Sequence, residues 1–192
     1  MSTVDPYGGR KNRLMPSLVI NDAAGAIDFY KRVFGAEEKH RSVYNGQIAH
    51  AEIDIEGTTI MMSDEMYGDR AKSAKTIGDT PVSFYVYVKD VEAIFDKVKK
   101  DVRVKLIYGD NVETMFYGDR IAMFEDPYGF RWTIATHVKD VGDEEMKKGL
   151  DDMMKEHTNT KHTGGYGRND VNDKYYKKYM KYKSKYLARI TK

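Results

Sequence analysis

Apolar positions along this chain follow two periods, and each period occurs in two places. Between residues 23 and 34, Ala23, Ala26, Ile27, Tyr30 and Phe34 fall at helical spacing. Asp22 stands where the free N–H groups of a first turn need an acceptor, and Gly35 stands where a helix ends. The arrangement returns after Asp90, with Val91, Ile94, Phe95 and Val98 on one side. Residues 48–55 instead alternate with period two, and Glu56-Gly57 turns them toward a second strand at 58–63. Further strands are predicted at 82–88, 120–125 and 130–137, the last two joined as a hairpin by Asp126-Pro127-Tyr128-Gly129.

The two halves are a weak internal repeat. Ile20-Asn21-Asp22 through Ala26-Ile27-Asp28-Phe29 reappears as Val88-Lys89-Asp90 through Ile94-Phe95-Asp96, each copy closing a strand and opening a helix. The predicted fold class is therefore α+β, two βαβββ modules over 14–65 and 81–138, with any ligand held where two curved sheets face each other. Residues 1–13 read as a loose leader, and 66–80 as a polar connection. Residues 139–156 hold a helix with an acidic first turn, Asp143-Glu144-Glu145, and Met146, Leu150, Met153 and Met154 on a side expected to dock on the body. A linker composition at 157–173 precedes a basic tail, 174–192, whose Tyr175, Tyr179, Tyr182 and Tyr186 share a helical face. The loops 36–47 and 64–80 carry no pattern.

Composition narrows the chemistry. With 192 residues there is room for one ordinary domain and an appendage. The absence of cysteine excludes disulfides, zinc–thiolate sites and thiol nucleophiles. No run is long and apolar enough for a bilayer span or a secretion signal, which predicts a soluble, unexported, cytoplasmic protein. The net charge of +2 is unevenly shared: residues 166–192 carry nine Lys or Arg against two Asp, so the preceding body is mildly acidic. Nucleic acid or an anionic membrane is thus expected to meet only the tail, where lysines and tyrosines coincide.

Strand alternation selects the candidate site. On 48–55 the apolar side is Ala49, Ala51, Ile53 and Ile55, leaving His50, Glu52 and Asp54 opposite. On 82–88, Ser83, Tyr85 and Tyr87 are opposite the apolar side; on the last strand Arg131, Thr133, Ala135 and His137 share a face. The inferred pocket is polar and aromatic. One reading is binding, with Tyr85, Tyr87 and Tyr117 stacking on a planar ligand while His50, Glu52, Arg120 and Arg131 set its polarity. A second is proton-transfer catalysis by His50 and Glu52, and a third is a displaced metal on His50, Glu52 and His137. The plainest is structural: these polar groups hydrogen-bond one another across strands, and Tyr117-Gly118-Asp119-Arg120 is a capped turn.

Four stretches resemble the vicinal oxygen chelate superfamily, in its glyoxalase, bleomycin-resistance and PhnB-like branch: 16–38, His50-Ala51-Glu52, 115–120, and 126–137. The resemblance covers roughly residues 14–156 and implies a homodimer and a small-molecule ligand. It also implies a metal held by one side chain on the first and last strand of each module. Those positions fall at about Met15, Met61, Ser83 and Thr133, no credible ligand set for a divalent ion. The expectation is therefore a protein without metal or other cofactor, either sequestering a small molecule as drug-binding relatives do or running a metal-independent lyase or isomerase-type reaction. The tail resembles a C-terminal motif of giant DNA virus proteins, and an interaction protein acting through that tail is the alternative.

Overall fold

A parallel pairing between its first and last strand closes each half of the molecule. The structure, a computed structural model, describes residues 12–66, 68 and 71–159, together with Asp5 and Gly9. In the first half β1 (Ser17–Ile20), α1 (Ala23–Phe34), β2 (Glu37–Tyr44), β3 (Gln47–Ile55) and β4 (Thr58–Asp64) form a sheet of order β1-β4-β3-β2. After a short α2 (Ala74–Ile77), the second half runs β5 (Ser83–Tyr87), α3 (Val91–Lys99), β6 (Lys105–Leu106), β7 (Glu113–Thr114), β8 (Asp119–Glu125) and β9 (Arg131–His137). Its order is β5-β9-β8-β6, with β7 also on β8. Both halves thus have the βαβββ plan, β7 being a short addition.

The two helices start and stop for the same local reasons. Asp22 accepts from Gly25 N at 2.9 Å and Asp90 from Ala93 N at 2.9 Å, each satisfying an orphan donor of the first turn. Seven α1 residues are buried, among them Phe29, Tyr30, Val33 and Phe34. Trp132 of β9 gathers this side of the core, with ring centroids 4.9 Å from Phe34, 5.4 Å from Tyr30 and 4.6 Å from Phe84. The rings of both halves therefore share one core, and each such side chain contributes about 2 kcal/mol by leaving water.

A buried carboxylate ties that core together. Asp126, in the β8–β9 turn, accepts from Tyr30 Oη, Trp132 Nε1 and the backbone N–H groups of Tyr128 and Phe130, all at 2.7–2.9 Å. Burial pushes its pKa up, against four donors that pull it down.

Three features differ from the sequence expectation. Residues 37–44 are a full strand, exposed along nearly all its length. β3 is irregular at Ala49: Ser42 pairs with His50 and Val43 with Ile48, so Ile48 is buried in place of Ala49. Residues 143–159 form α4 (Asp143–Asn159), which begins at the expected acidic turn but runs past 156. The chain separates after Gly149 into two compact units. In the first, Gly149 lies against Phe116, where any side chain would collide. The second begins at Leu150 and is described only through the end of α4. The expected linker from 160 and the whole basic tail lie outside the described residues. Among the described residues, no helix is long and apolar enough to cross a membrane.

Candidate functional site

On the open face of the second sheet, β8 and β9 pair antiparallel with Asp119 opposite His137. β5 pairs parallel with β9 and sets Tyr85 and Tyr87 beside Thr133 and Ala135. Asp119 is only 3% exposed and accepts three side-chain donors: Tyr85 Oη at 2.9 Å and Tyr87 Oη at 2.8 Å on one oxygen, His137 Nδ1 at 2.7 Å on the other. His137 Nε2 in turn faces Asp140 Oδ1 at 3.0 Å. A carboxylate at each ring nitrogen favours the imidazolium, since an ionised carboxylate can only accept.

The electrostatics follow from these contacts. Burial would raise the Asp119 pKa, yet the donated hydrogen bonds of His137, Tyr87 and Tyr85 hold it below the ordinary carboxylate range. His137 is raised by Asp119 first and Asp140 second. Tyr85 is raised by partial burial, then by Asp119 and the nearby Tyr117 phenol; Tyr87 is raised chiefly by its bond to Asp119. Both phenols therefore stay protonated donors. Their rings lie 5.4 Å apart at an interplanar angle of 52° and are held by a single buried anion.

The same two tyrosines wall a cavity of about 310 Å³ between the halves. The second half supplies Phe84, Tyr85, Val86 and Tyr87 from β5, and Trp132 from β9. The first half supplies Pro16, then Ile55, Glu56, Thr58 and Ile60 from the β3–β4 hairpin. This volume suits a small organic molecule.

Not all the sequence-predicted residues meet here. His50 and Glu52 lie on the open face of the first sheet, where His50 Nε2 is 3.2 Å from Glu52 Oε1 and the His50 ring is 5.8 Å from that of His40. Neither lines the cavity. Ser83, Tyr85, Tyr87, Thr133 and His137 occupy the open face of the second sheet, with Thr133 8% exposed between Tyr85 and Met123. Arg131 shares that face at its rim, paired with Asp79 at 2.5 Å. Arg120 corrects the expectation. It is in phase with the core residues Ala122 and Phe124, and its Nε donates to Glu92 of α3 at 2.7 Å, on the helix side of the sheet.

Sequence reasoning passed over Asp119 as a turn cap and Glu56 as a turn residue. The alternation of β8 held the signal for the first: Asp119 is in step with Ile121 and Met123, the open-face set, and out of step with Ala122 and Phe124.

Residues 12–134 match the Glyoxalase/Bleomycin resistance protein/Dioxygenase superfamily. The chain belongs to this superfamily. Uncharacterised proteins of Mycobacterium bovis and Mycobacterium tuberculosis are each 33% identical to it over 141 residues, 71% of this chain and 91% and 81% of theirs. Among solved structures, TioX from Micromonospora sp. ML1 is similar with a TM-score of 0.51 and 22% identity, covering 68% of this chain and all of that one. The PhnB protein of Bacillus cereus gives a TM-score of 0.51 at 18% identity, covering 65% and 99%. These likenesses establish the fold.

The glyoxalase-like pattern implies a metal at positions held here by Met15, Met61, Ser83 and Thr133. Met61 lies opposite Glu52 on the neighbouring strand, Ser83 is exposed on β5 and Thr133 is packed beneath the tyrosines. Two thioethers and two neutral hydroxyls do not fit a divalent cation, which wants carboxylate or imidazole donors. Among the described residues no group of three or more His, Asp or Glu is placed to hold an ion. His137, on the other sheet from His50 and Glu52, has both nitrogens turned to carboxylates.

Proposed function

We propose that this superfamily member is a small-molecule binding protein that takes an aromatic or apolar ligand into the cavity between its halves, in the sequestering manner. The observation that carries the reading is the pair Tyr85 and Tyr87, which line the cavity and whose hydroxyls are both anchored on buried Asp119. Rings fixed before a ligand arrives lose little freedom on binding, so stacking is not offset by ordering. The test uses Trp132, the single tryptophan of the chain and part of the cavity lining. Titration with small aromatic compounds is expected to change its fluorescence saturably. Thr58→Phe, which sets a ring into the lining, is expected to abolish the change while the thermal midpoint stays within a few degrees of the parent. Saturable binding that Thr58→Phe leaves untouched would place the ligand elsewhere and sink the proposal.

A metal-independent proton transfer of lyase or isomerase type is the second reading, and the Asp119–His137 contact favours it. Asp119 fixes the imidazole through Nδ1 and leaves Nε2 facing the solvent-exposed Asp140, the position from which a proton can be passed. The expected His50 and Glu52 pair lies on the other sheet. An interaction role for the basic tail is a separate proposal. DNA and anionic-liposome binding by the full chain and by one ending at residue 165 tests it, and equal binding by the two would end it.

A further inference from the structure

The cavity lining has a charge bias. Four aromatic residues, Phe84, Tyr85, Tyr87 and Trp132, line it, yet no lysine, arginine or histidine does. The one formally charged lining residue is Glu56, in the β3–β4 turn. Glu56 has no ion-pair partner among the described residues, and Asp54, outside the lining, accepts from Gly57 N of the same turn at 2.9 Å. An anionic ligand would meet only repulsion there. A cation would find aromatic residues, whose ring faces carry the negative lobe of the quadrupole, and a carboxylate in the lining.

The turn itself points the same way. The β2–β3 and β3–β4 hairpins are built alike, with left-handed residues at Asn45 and Gly46 (φ 49° and 80°) and at Glu56 and Gly57 (φ 48° and 81°). Asparagine, with its short polar side chain, and glycine, which lacks a Cβ, suit such a turn because both tolerate positive φ. Glutamate does not share that tolerance, and a side chain kept in a costly backbone state beside a cavity is a mark of use. The hairpin facing solvent has the residue the turn prefers. The hairpin facing the cavity has a carboxylate.

We infer that the cavity selects organic cations, molecules in which a protonated amine or quaternary ammonium is carried on an aromatic or compact apolar body, with Glu56 as the counter-charge and the aromatic residues along β5 as the receiving wall. The inference rests on the small-molecule reading above and narrows it to a ligand class.

Three probes of similar size separate the possibilities: phenyltrimethylammonium, its uncharged isostere tert-butylbenzene, and benzenesulfonate. Each is titrated into the full-length protein with Trp132 fluorescence as readout, and repeated on Glu56→Gln and Glu56→Asn. The expected result is that the ammonium binds about tenfold more tightly than the isostere and that the sulfonate does not bind. Both substitutions should weaken the ammonium by about fivefold and leave the isostere unchanged. The asparagine variant keeps a residue the turn favours, so its loss cannot be assigned to misfolding. Equal binding of ammonium and isostere, or a preference that survives both substitutions, overturns the charge selection while leaving the cavity a binding site. Failure of all three probes to bind removes the site itself, and this inference with it.

Discussion

Tyr30 of α1 donates its hydroxyl hydrogen to Asp126 in the β8–β9 turn at 2.7 Å, joining the helix of the first half to the hairpin of the second. Both residues are buried, so the bond is shielded from water, and a lost partner leaves a polar group stranded. Tyr30→Phe should lower unfolding stability by about 1–3 kcal/mol. Asp126→Ala strands four donors at once and should cost more, about 3–5 kcal/mol. Urea denaturation followed by Trp132 fluorescence measures both, and losses in the opposite order would show that the carboxylate is not the hub.

A second bridge between the halves titrates. Asp101, just after α3, accepts from Arg103 and from Arg32 of α1 at 2.8 Å, its side chain 9% exposed. These contacts, Arg103 first, depress its pKa from 3.8 to about 2. A depressed folded-state value stabilises above the unfolded pKa and is lost as pH falls through the folded one, so the window is about pH 4 to 2. Both arginines are half exposed, which discounts the effect to about 1 kcal/mol. Asp101→Asn should remove that increment at neutral pH and flatten the acid limb of the stability profile between those values.

The Asp119–His137 pair makes the opposite demand at its basic end. His137 is raised above 6.5, so its share of stability is complete below that value and fades as pH climbs through the folded pKa. Asp119 is depressed below 3.8, so its share is present above that value and disappears in acid. The contact is strongest between the two. NMR titration of the His137 ring should give a midpoint above 6.5, and Asp119→Asn should return it toward the ordinary value. An unmoved midpoint in that variant would mean that Asp140 alone sets it.

Gly118 shapes the ground on which that pair stands. Its φ is +92°, and a Cβ there would collide with the Lys139 carbonyl oxygen, backbone that has little room to yield. Its own carbonyl accepts from Val138 N at 2.9 Å and Lys139 N at 3.1 Å, holding the segment that follows His137. Gly118→Ala should destabilise by about 2 kcal/mol or more and displace Asp140 from the His137 ring. The midpoint of His137 should fall in step with the stability loss.

Relief of strain gives the last expectation. Glu56→Asn should raise stability by about 0.5–1 kcal/mol, because asparagine accepts left-handed backbone more readily than glutamate does. Thermal unfolding reads it directly, and a lower midpoint would mean that the glutamate side chain is making contacts that hold the turn.

Most of the fold was legible because helices and inward strands must write their burial into the sequence. Asp22 and Asp90 mark the helix starts, and Asp126-Pro127-Tyr128-Gly129 marks the last hairpin. β2 left no trace, since seven of its eight residues are exposed and exposed positions are under no demand to alternate. The bulge at Ala49 was hidden for a related reason: Ile48 and Ala49 are both compatible with an interior position, and only the pairing with β2 decides between them. At the site, alternation marks Tyr85 and Tyr87, but it does not by itself mark their anchor Asp119, because an aspartate after glycine suits a turn as well as a strand. Arg120 was misplaced by neglecting its phase with Ala122 and Phe124, a signal the sequence did contain. Glu56 needed the cavity to give it meaning.

Two of the strand borders of the molecule are guarded differently. β2 ends the first sheet with Glu37, Glu38, Lys39 and Arg41, charges that resist the addition of a foreign strand. β5 ends the second with Ser-Phe-Tyr-Val-Tyr, uncharged and rich in residues favoured by cross-β assemblies. A variant that loosens the contact between the halves would bare that segment first, so clumping in such variants should begin at β5 and yield to a lysine placed there.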